Sequence, residues 1–366
     1  KSSKKYVDLI ANSKVYDVAT NTPITFAPNL SAKLKNDVFL KREDMQPIFS
    51  FKIRGAYNKI AHLSAQQKKK GVLTASAGNH AQGVANACKK LKIPCLIFMP
   101  VTTPEIKVRS VKRLGAKVQL FGDNFDQASK KAIQIAKEKN CEFIEAFDDP
   151  MTIAGQGTVG KEILDEDPSL DVIFVPVGGG GLLAGVGAWA AQTQSKTKIY
   201  GVEVEDSACL VEAIKANKRV RLREVGLFAD GVAVERIGKN NFDVIKECVD
   251  GVITVSIDEL CAAVKDIFED TRVLSEPAGA LALAGLKKYA SKISNKRLLA
   301  ISSGANVNFE RLSYIVERSE IGEKREKLIS IQIPEKPGSF LRLCNIFGRA
   351  QITEFNYRLA NKSIAN

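Results

Sequence analysis

The sequence predicts an α/β protein with mostly parallel sheets, and three observations lead there. Short β-branched runs alternate with stretches of helical length, the order that covers a parallel sheet on both faces. The loops after several of these runs are small, polar or glycine-rich, as expected where open α/β folds bind ligands at the carboxyl ends of strands. The 366 residues exceed one ordinary core, so two or three domains are expected.

In chain order, apolar runs predict strands at 72–76, 95–100, 117–121, 143–147, 172–177, 198–204, 251–256 and 298–302. Helices are expected between them, for example at 81–91 and 125–139. The loop after the first strand reads AGNHAQG, that after the fifth GGGGLLAG, and that after the last SGANVN. Residues without bulk allow a ligand to approach the backbone in all three.

Composition narrows the function classes. Hydrophobic content of 45% and charged content of 26% are those of a globular chain. No apolar run approaches the ~20 residues of a membrane span, so a cytoplasmic protein is expected. A plastid stromal one is the alternative if a transit peptide has been removed, since the chain opens on Lys1. Seven dispersed cysteines without a CxxC pair predict reduced thiols, and two histidines exclude a His-rich metal centre; no metal is expected. The net charge of +13 is scattered, with aromatics at 7%, which favours a basic solvated surface over a nucleic-acid interface.

Gly178, Gly179, Gly180 and Gly181 follow an apolar run and open an apolar helix. Consecutive residues without Cβ let backbone N–H groups converge at a helix N-terminus, which predicts a phosphate cradle without charged side chains. A dinucleotide fold would use Gly179, Gly181 and Ala184, with Glu203 as its ribose acid. GQGTVGKE at 155–162 nearly completes a P-loop, but Glu162 stands where a Ser or Thr must bind magnesium, so this segment is expected to begin an ordinary helix.

Lys52 stands in FSFKIRGAY, an isolated lysine directly after Phe51. A phosphate cradle, such a lysine and several small polar loops together suit pyridoxal 5'-phosphate, which needs an amine for a Schiff base and a cup for its phosphate. SFKIRGA, TASAGNHAQG, VPVGGGGLLAG, EPAGALALAG and SGANVNF occur in this order. The chain thereby resembles the fold-type II pyridoxal-phosphate enzymes, and within them most closely the biosynthetic threonine dehydratases, over nearly its whole length.

The resemblance implies two open sheets like those of tryptophan synthase β. It places a large domain at 1–49 and 155–320, a small domain at 50–154, and a linker with an incomplete ACT-like regulatory β-α-β segment at 321–366. In that segment, strands are expected at 328–333 and 352–358 around a helix at 339–347. Lys52 is implied as the Schiff-base lysine and catalytic base, with Phe51 against the ring and Asn79 on its hydroxyl. Gly178, Gly179, Gly180, Gly181 and Leu182 are implied to hold the phosphate, Ser303 to face the pyridine nitrogen, and Glu276 to tune the ring. Ser76, Ala77, Gly78, Asn79 and His80 are implied to receive the substrate carboxylate. A neutral Ser303 hydroxyl stabilises a pyridinium less than a carboxylate would, which suits β-elimination.

The implied reaction is deamination of L-threonine to 2-oxobutanoate and ammonia, with L-serine as a secondary substrate, in a homotetramer with isoleucine as effector. Racemases and serine dehydratases of the same family are the neighbouring alternatives. A nicotinamide dehydrogenase is the alternative from another class, and it leaves Lys52 and Ser303 without a task.

Overall fold

The computed structural model describes residues 2–193 and 195–357. Its contacts divide the chain into Lys1–Glu326 and Lys327–Asn366.

In Lys1–Glu326 ten strands form two sheets. The strands are β1 (Ile24–Phe26), β2 (Asp37–Arg42), β3 (Val72–Ala75), β4 (Cys95–Met99), β5 (Lys117–Leu120), β6 (Glu142–Phe143), β7 (Val172–Pro176), β8 (Lys198–Val204), β9 (Gly251–Val255) and β10 (Arg297–Ser302). One sheet has the order β1-β2-β10-β7-β8-β9, the other β5-β4-β3-β6. Only β1 runs antiparallel to its neighbour; every other pairing is parallel.

Alternation along the strands explains the layering. On β7, Ile173 and Val175 enter one core with Leu183 and Val186 of the Gly181–Gln192 helix, while Val172 and Phe174 enter the opposite core with Leu281 and Leu283 of the Pro277–Ala290 helix. Successive side chains of a strand point to opposite faces, so a sheet covered on both sides needs continuous apolar runs. The smaller sheet repeats the arrangement. Val72 and Ile97 meet the Asn79–Leu91 helix, whereas Leu73 and Phe98 meet Ala128, Ala132 and Ala136 of the Phe125–Lys139 helix. That last helix is set by its sequence. The Asn124 side chain accepts from the N–H of Gln127, alanines recur every four residues, and Asn140 ends it at φ 49°.

Several expectations need correction. β1 and β2 were not anticipated from the sequence. β6 ends at Phe143, and the segment expected to continue it leaves the sheet beyond Ile144. GQGTVGKE lies inside the Pro150–Glu166 helix rather than at its start. The cap is Asp149, whose side chain accepts from the N–H groups of Met151 and Thr152. Glu203 is not poised for a ribose either. Its buried carboxylate accepts from the N–H groups of Leu210 and Val211, at 2.8 and 2.9 Å, and burial pushes it up to about 7.

In Lys327–Asn366 the expected helix is present as Ser339–Phe347, following the turn at Gly338 (φ 86°). Phe340 packs against Phe355 with ring centroids 5.0 Å apart. The strands expected at 328–333 and 352–358 do not form among the described residues, and Arg358 lies outside them. A strand needs a paired neighbour and an apolar face to bury; here Leu328 and Ile329 are 80% and 52% exposed. No helix among the described residues is long and apolar enough to cross a membrane.

Candidate active site

Lys52 opens the Lys52–Ala61 helix. Its Nζ donates to the carbonyl oxygen of Ala146 at 2.9 Å and lies 5.4 Å from the centroid of the Phe51 ring. That carbonyl is its one hydrogen-bond acceptor among the described residues, and no carboxylate pairs with it. Burial therefore pushes the ammonium down to about 8, because removal from water penalises the charged form. The early end of β6 brings the Ala146 carbonyl to this place.

The loop before Lys52 is sewn to the loop after β10. The N–H of Phe51 donates to the Ser303 carbonyl at 3.3 Å, the N–H of Ala305 to the Phe49 carbonyl at 2.9 Å, and Ser50 bridges Gly304. The Ser303 hydroxyl is buried and donates to the Ala278 carbonyl at 3.3 Å.

Two residues beyond Lys52, Arg54 fastens the same helix to its neighbours. Its fully buried guanidinium donates to Glu43 beside β2 at 2.8 Å and to Glu162 on the Pro150–Glu166 helix at 2.6 Å. Lys41 on β2 reaches Glu162 at 2.8 Å. Burial alone would raise Glu43, but the Arg54 charge, the hydrogen bonds from Arg54 and Thr22 and the Lys41 charge together hold the carboxyl below its ordinary range.

The glycine loop leaves β7 beside this lysine's partner. The Phe147 ring fills the space where a Cβ on Gly179 would go, and Gly180 holds φ 90°, a left-handed conformation that favours glycine. Buried Asn241 donates to the carbonyls of Gly179 at 2.7 Å and Phe147 at 3.0 Å. No acceptor among the described residues takes the N–H groups of Gly178, Gly179, Gly180, Gly181 or Leu182. Five donors without acceptors at the start of a helix, with an amine that no carboxylate pairs, fit a phosphate-bearing aldehyde such as pyridoxal 5'-phosphate. The Leu182 side chain itself is buried in the larger core, so only its N–H can contribute.

The loop after β3 supplies the third wall. Gly78 has open space where a Cβ would point, and its N–H donates to Ser76 Oγ at 3.2 Å; Ala77 is partly exposed between them. Asn79 donates from Nδ2 to Glu276 Oε1 at 2.6 Å and accepts at Oδ1 from Asn306 Nδ2 at 2.7 Å. Burial pushes Glu276 up to about 7, partly offset by the Asn79 hydrogen bond. His80 turns away from the loop. Its Nε2–H donates to the Ile144 carbonyl at 3.1 Å, and burial together with the Lys52 charge pushes the imidazole down to about 3, leaving it neutral.

Thus the loops expected at the site converge, while the His80 side chain does not face their common space. Ala146, Phe147, Asn241 and Asn306 were not singled out from the sequence. Asn306 lies in the SGANVNF motif and was readable there; Asn241 carries no local signal, because its role depends on two distant carbonyls.

A buried lysine beside a loop of free amide donors is what a pyridoxal-phosphate enzyme requires. The sequence profile described as "Pyridoxal-phosphate dependent enzyme" matches residues 15–304, and the chain belongs to that family. A second profile, "C-terminal regulatory domain of Threonine dehydratase", matches residues 317–366. The chain is 54% identical to the L-threonine dehydratase biosynthetic IlvA of Pasteurella multocida, over 98% of this chain and 70% of that protein. It is 47% identical to the chloroplastic threonine dehydratase biosynthetic of Arabidopsis thaliana, over 99% of this chain and 62% of that protein. Among solved structures it is similar to the processed form of threonine deaminase isoform 2 from Solanum lycopersicum. The TM-score is 0.85 at 43% identity, over 87% of this chain and 93% of that one.

Proposed function

We propose that the protein is a threonine ammonia-lyase, which converts L-threonine to 2-oxobutanoate and ammonia with pyridoxal 5'-phosphate. The observation that carries this reading is the Lys52 amine, buried without a carboxylate and held by one carbonyl. Its relatives named threonine dehydratase support the choice of substrate. L-Serine, one methyl group smaller, is the secondary substrate.

Bound pyridoxal 5'-phosphate supplies the electron-withdrawing ring that makes the α-proton of an amino acid removable. The residues that would hold it are Gly178, Gly179, Gly180, Gly181 and Leu182 through their N–H groups for the phosphate, Asn79 for the ring hydroxyl, Phe51 for the ring face, and Ser303 for the ring nitrogen. Lys52 Nζ takes the proton from Cα, a task suited to an amine whose pKa is lowered to about 8. The backbone N–H groups of Ala77, Asn79 and His80, in the loop from Ser76 through Gly78, receive the substrate carboxylate at the start of the Asn79–Leu91 helix, where they need no counter-charge. Glu276 tunes the ring through Asn79. Loss of the β-hydroxyl as water gives 2-aminocrotonate, and addition of one water to its imine tautomer expels the amino group as ammonia and leaves 2-oxobutanoate.

The two sheets belong to separate domains in this reading, the smaller at 50–154 and the larger at 1–49 and 155–320. The match of residues 317–366 to a regulatory domain supports allosteric control; isoleucine as the effector, a homotetramer, and a place in the cytoplasm or plastid stroma are further parts of this proposal.

The test is an absorption spectrum from about 300 to 500 nm, recorded before and after L-threonine is added. A visible band that Lys52→Ala abolishes, and that changes as 2-oxobutanoate accumulates, is expected. A protein that stays colourless with added pyridoxal phosphate refutes the reading.

A further inference from the structure

The Asn79 amide is clamped at both ends, by Glu276 at Nδ2 and by Asn306 at Oδ1. The oxygen and nitrogen ends of an amide are similar in size, so neighbouring donors and acceptors decide which way it faces. Here the decision traces back to a backbone carbonyl. Asn306 Nδ2 also donates to the Ile48 carbonyl at 2.9 Å, and a carbonyl can only accept. Asn306 therefore cannot offer its oxygen on that side, and both of its side-chain N–H donors are engaged, one by Ile48 and one by Asn79. Asn79 must answer with its oxygen.

That leaves the Asn79 nitrogen toward Glu276, with one N–H used there and one free. Gly304 has no Cβ that would strike Glu276 Oε1. The network joins four segments: the loop before Lys52, the one after β3, the one after β10, and Glu276 at the start of the Pro277–Ala290 helix.

We propose that Asn306 is a positioning residue that fixes the Asn79 amide so that an N–H, and not the carbonyl, is free for the cofactor's ring oxygen. The inference rests on the reading of Asn79 as the partner of that oxygen. A reversed amide would set lone pairs against an oxygen that is itself an acceptor when ionised, and binding would weaken.

Asn306→Asp keeps the shape of the side chain and removes both donors; Asn306→Ala removes them without adding charge. Cofactor-free protein of each variant is titrated with pyridoxal phosphate, and the dissociation constant and the position of the visible band are read. Melting curves confirm folding, and if the Asp variant does not fold, the Ala variant carries the test. The expected result is affinity weaker by about tenfold or more, with a shifted band. In an Asn79→Ala background the same Asn306 change should cost no more than about twofold further, because the group it acts through is gone. Unchanged affinity and band, or losses that simply multiply, overturn the inference. Borohydride reduction of the parent, followed by mass analysis of the Lys52 peptide, separates the two readings. A labelled parent with unaltered variants overturns only the role of Asn306; an unlabelled parent overturns the cofactor reading with it.

Discussion

The N–H of Phe51 donates to the carbonyl of Ser303 at 3.3 Å, so the residue before the lysine and the loop after β10 share a hydrogen bond. These positions lie some 250 residues apart in the chain, and their contact fastens the segment that carries the lysine to the end of the larger sheet.

Lys52 should capture the aldehyde as a neutral amine. With its pKa lowered to about 8, the rate at which cofactor-free protein captures pyridoxal phosphate should climb about tenfold per pH unit below that value and level off above it. Stopped-flow absorbance measures this directly. A rate still climbing steeply beyond pH 9 would show that burial does not depress the amine.

Glu276 should make stability depend on pH. Its pKa is about 7 folded, against an ordinary 4.5. Its contribution is therefore fully present below 4.5 and is lost as pH rises through 7. Cofactor-free Glu276→Gln, whose oxygen can still accept from Asn79, should melt about 2–5 °C above the parent at pH 8, and the gap should close below pH 4.5. Melting curves across that range provide the check, and a gap independent of pH would contradict it.

Gly179 should tolerate no side chain while Phe147 is present. Gly179→Ala should weaken pyridoxal phosphate binding by about tenfold or more, because the loop must move away from the ring. Adding Phe147→Ala should restore part of the loss. Equilibrium dialysis with pyridoxal phosphate and with phosphate-free pyridoxal separates the contributions, the second ligand being affected less.

Arg54 should be the most costly of these residues to remove. Arg54→Met leaves Glu43 and Glu162 buried without their shared cation, a change that typically costs about 3–5 kcal/mol. Urea denaturation of the cofactor-free protein would report it, and a loss below about 1 kcal/mol would mean that Lys41 alone neutralises the pair.

Most of the sheet architecture was legible because buried parallel strands must be continuous apolar runs, as in VIFVP of β7. β2 was not, because its sequence DVFLKR ends in two charges. Lys41 and Arg42 are nevertheless buried, satisfied by Glu162 and Asp44. Such burial follows from partners far along the chain, which local composition does not reveal. The same reason hid Asn241, which serves Phe147 and Gly179 at once. The regulatory segment was overread in the other direction. Its alternation resembled strands, but 328–333 and 352–357 pair with nothing among the described residues.

The cradle at Gly178 to Leu182 offers amide hydrogens where many anion sites use lysine or arginine. Nothing in it ionises, and nothing in it is a target for acylating reagents. Lysines on the surface of this chain can then be acetylated or succinylated, with Lys52 shielded by its bound cofactor and Lys41 buried against Glu162, and the grip on the anion should persist. Surface charge and anion recognition are separate traits in this protein, free to drift independently in evolution and open to independent engineering.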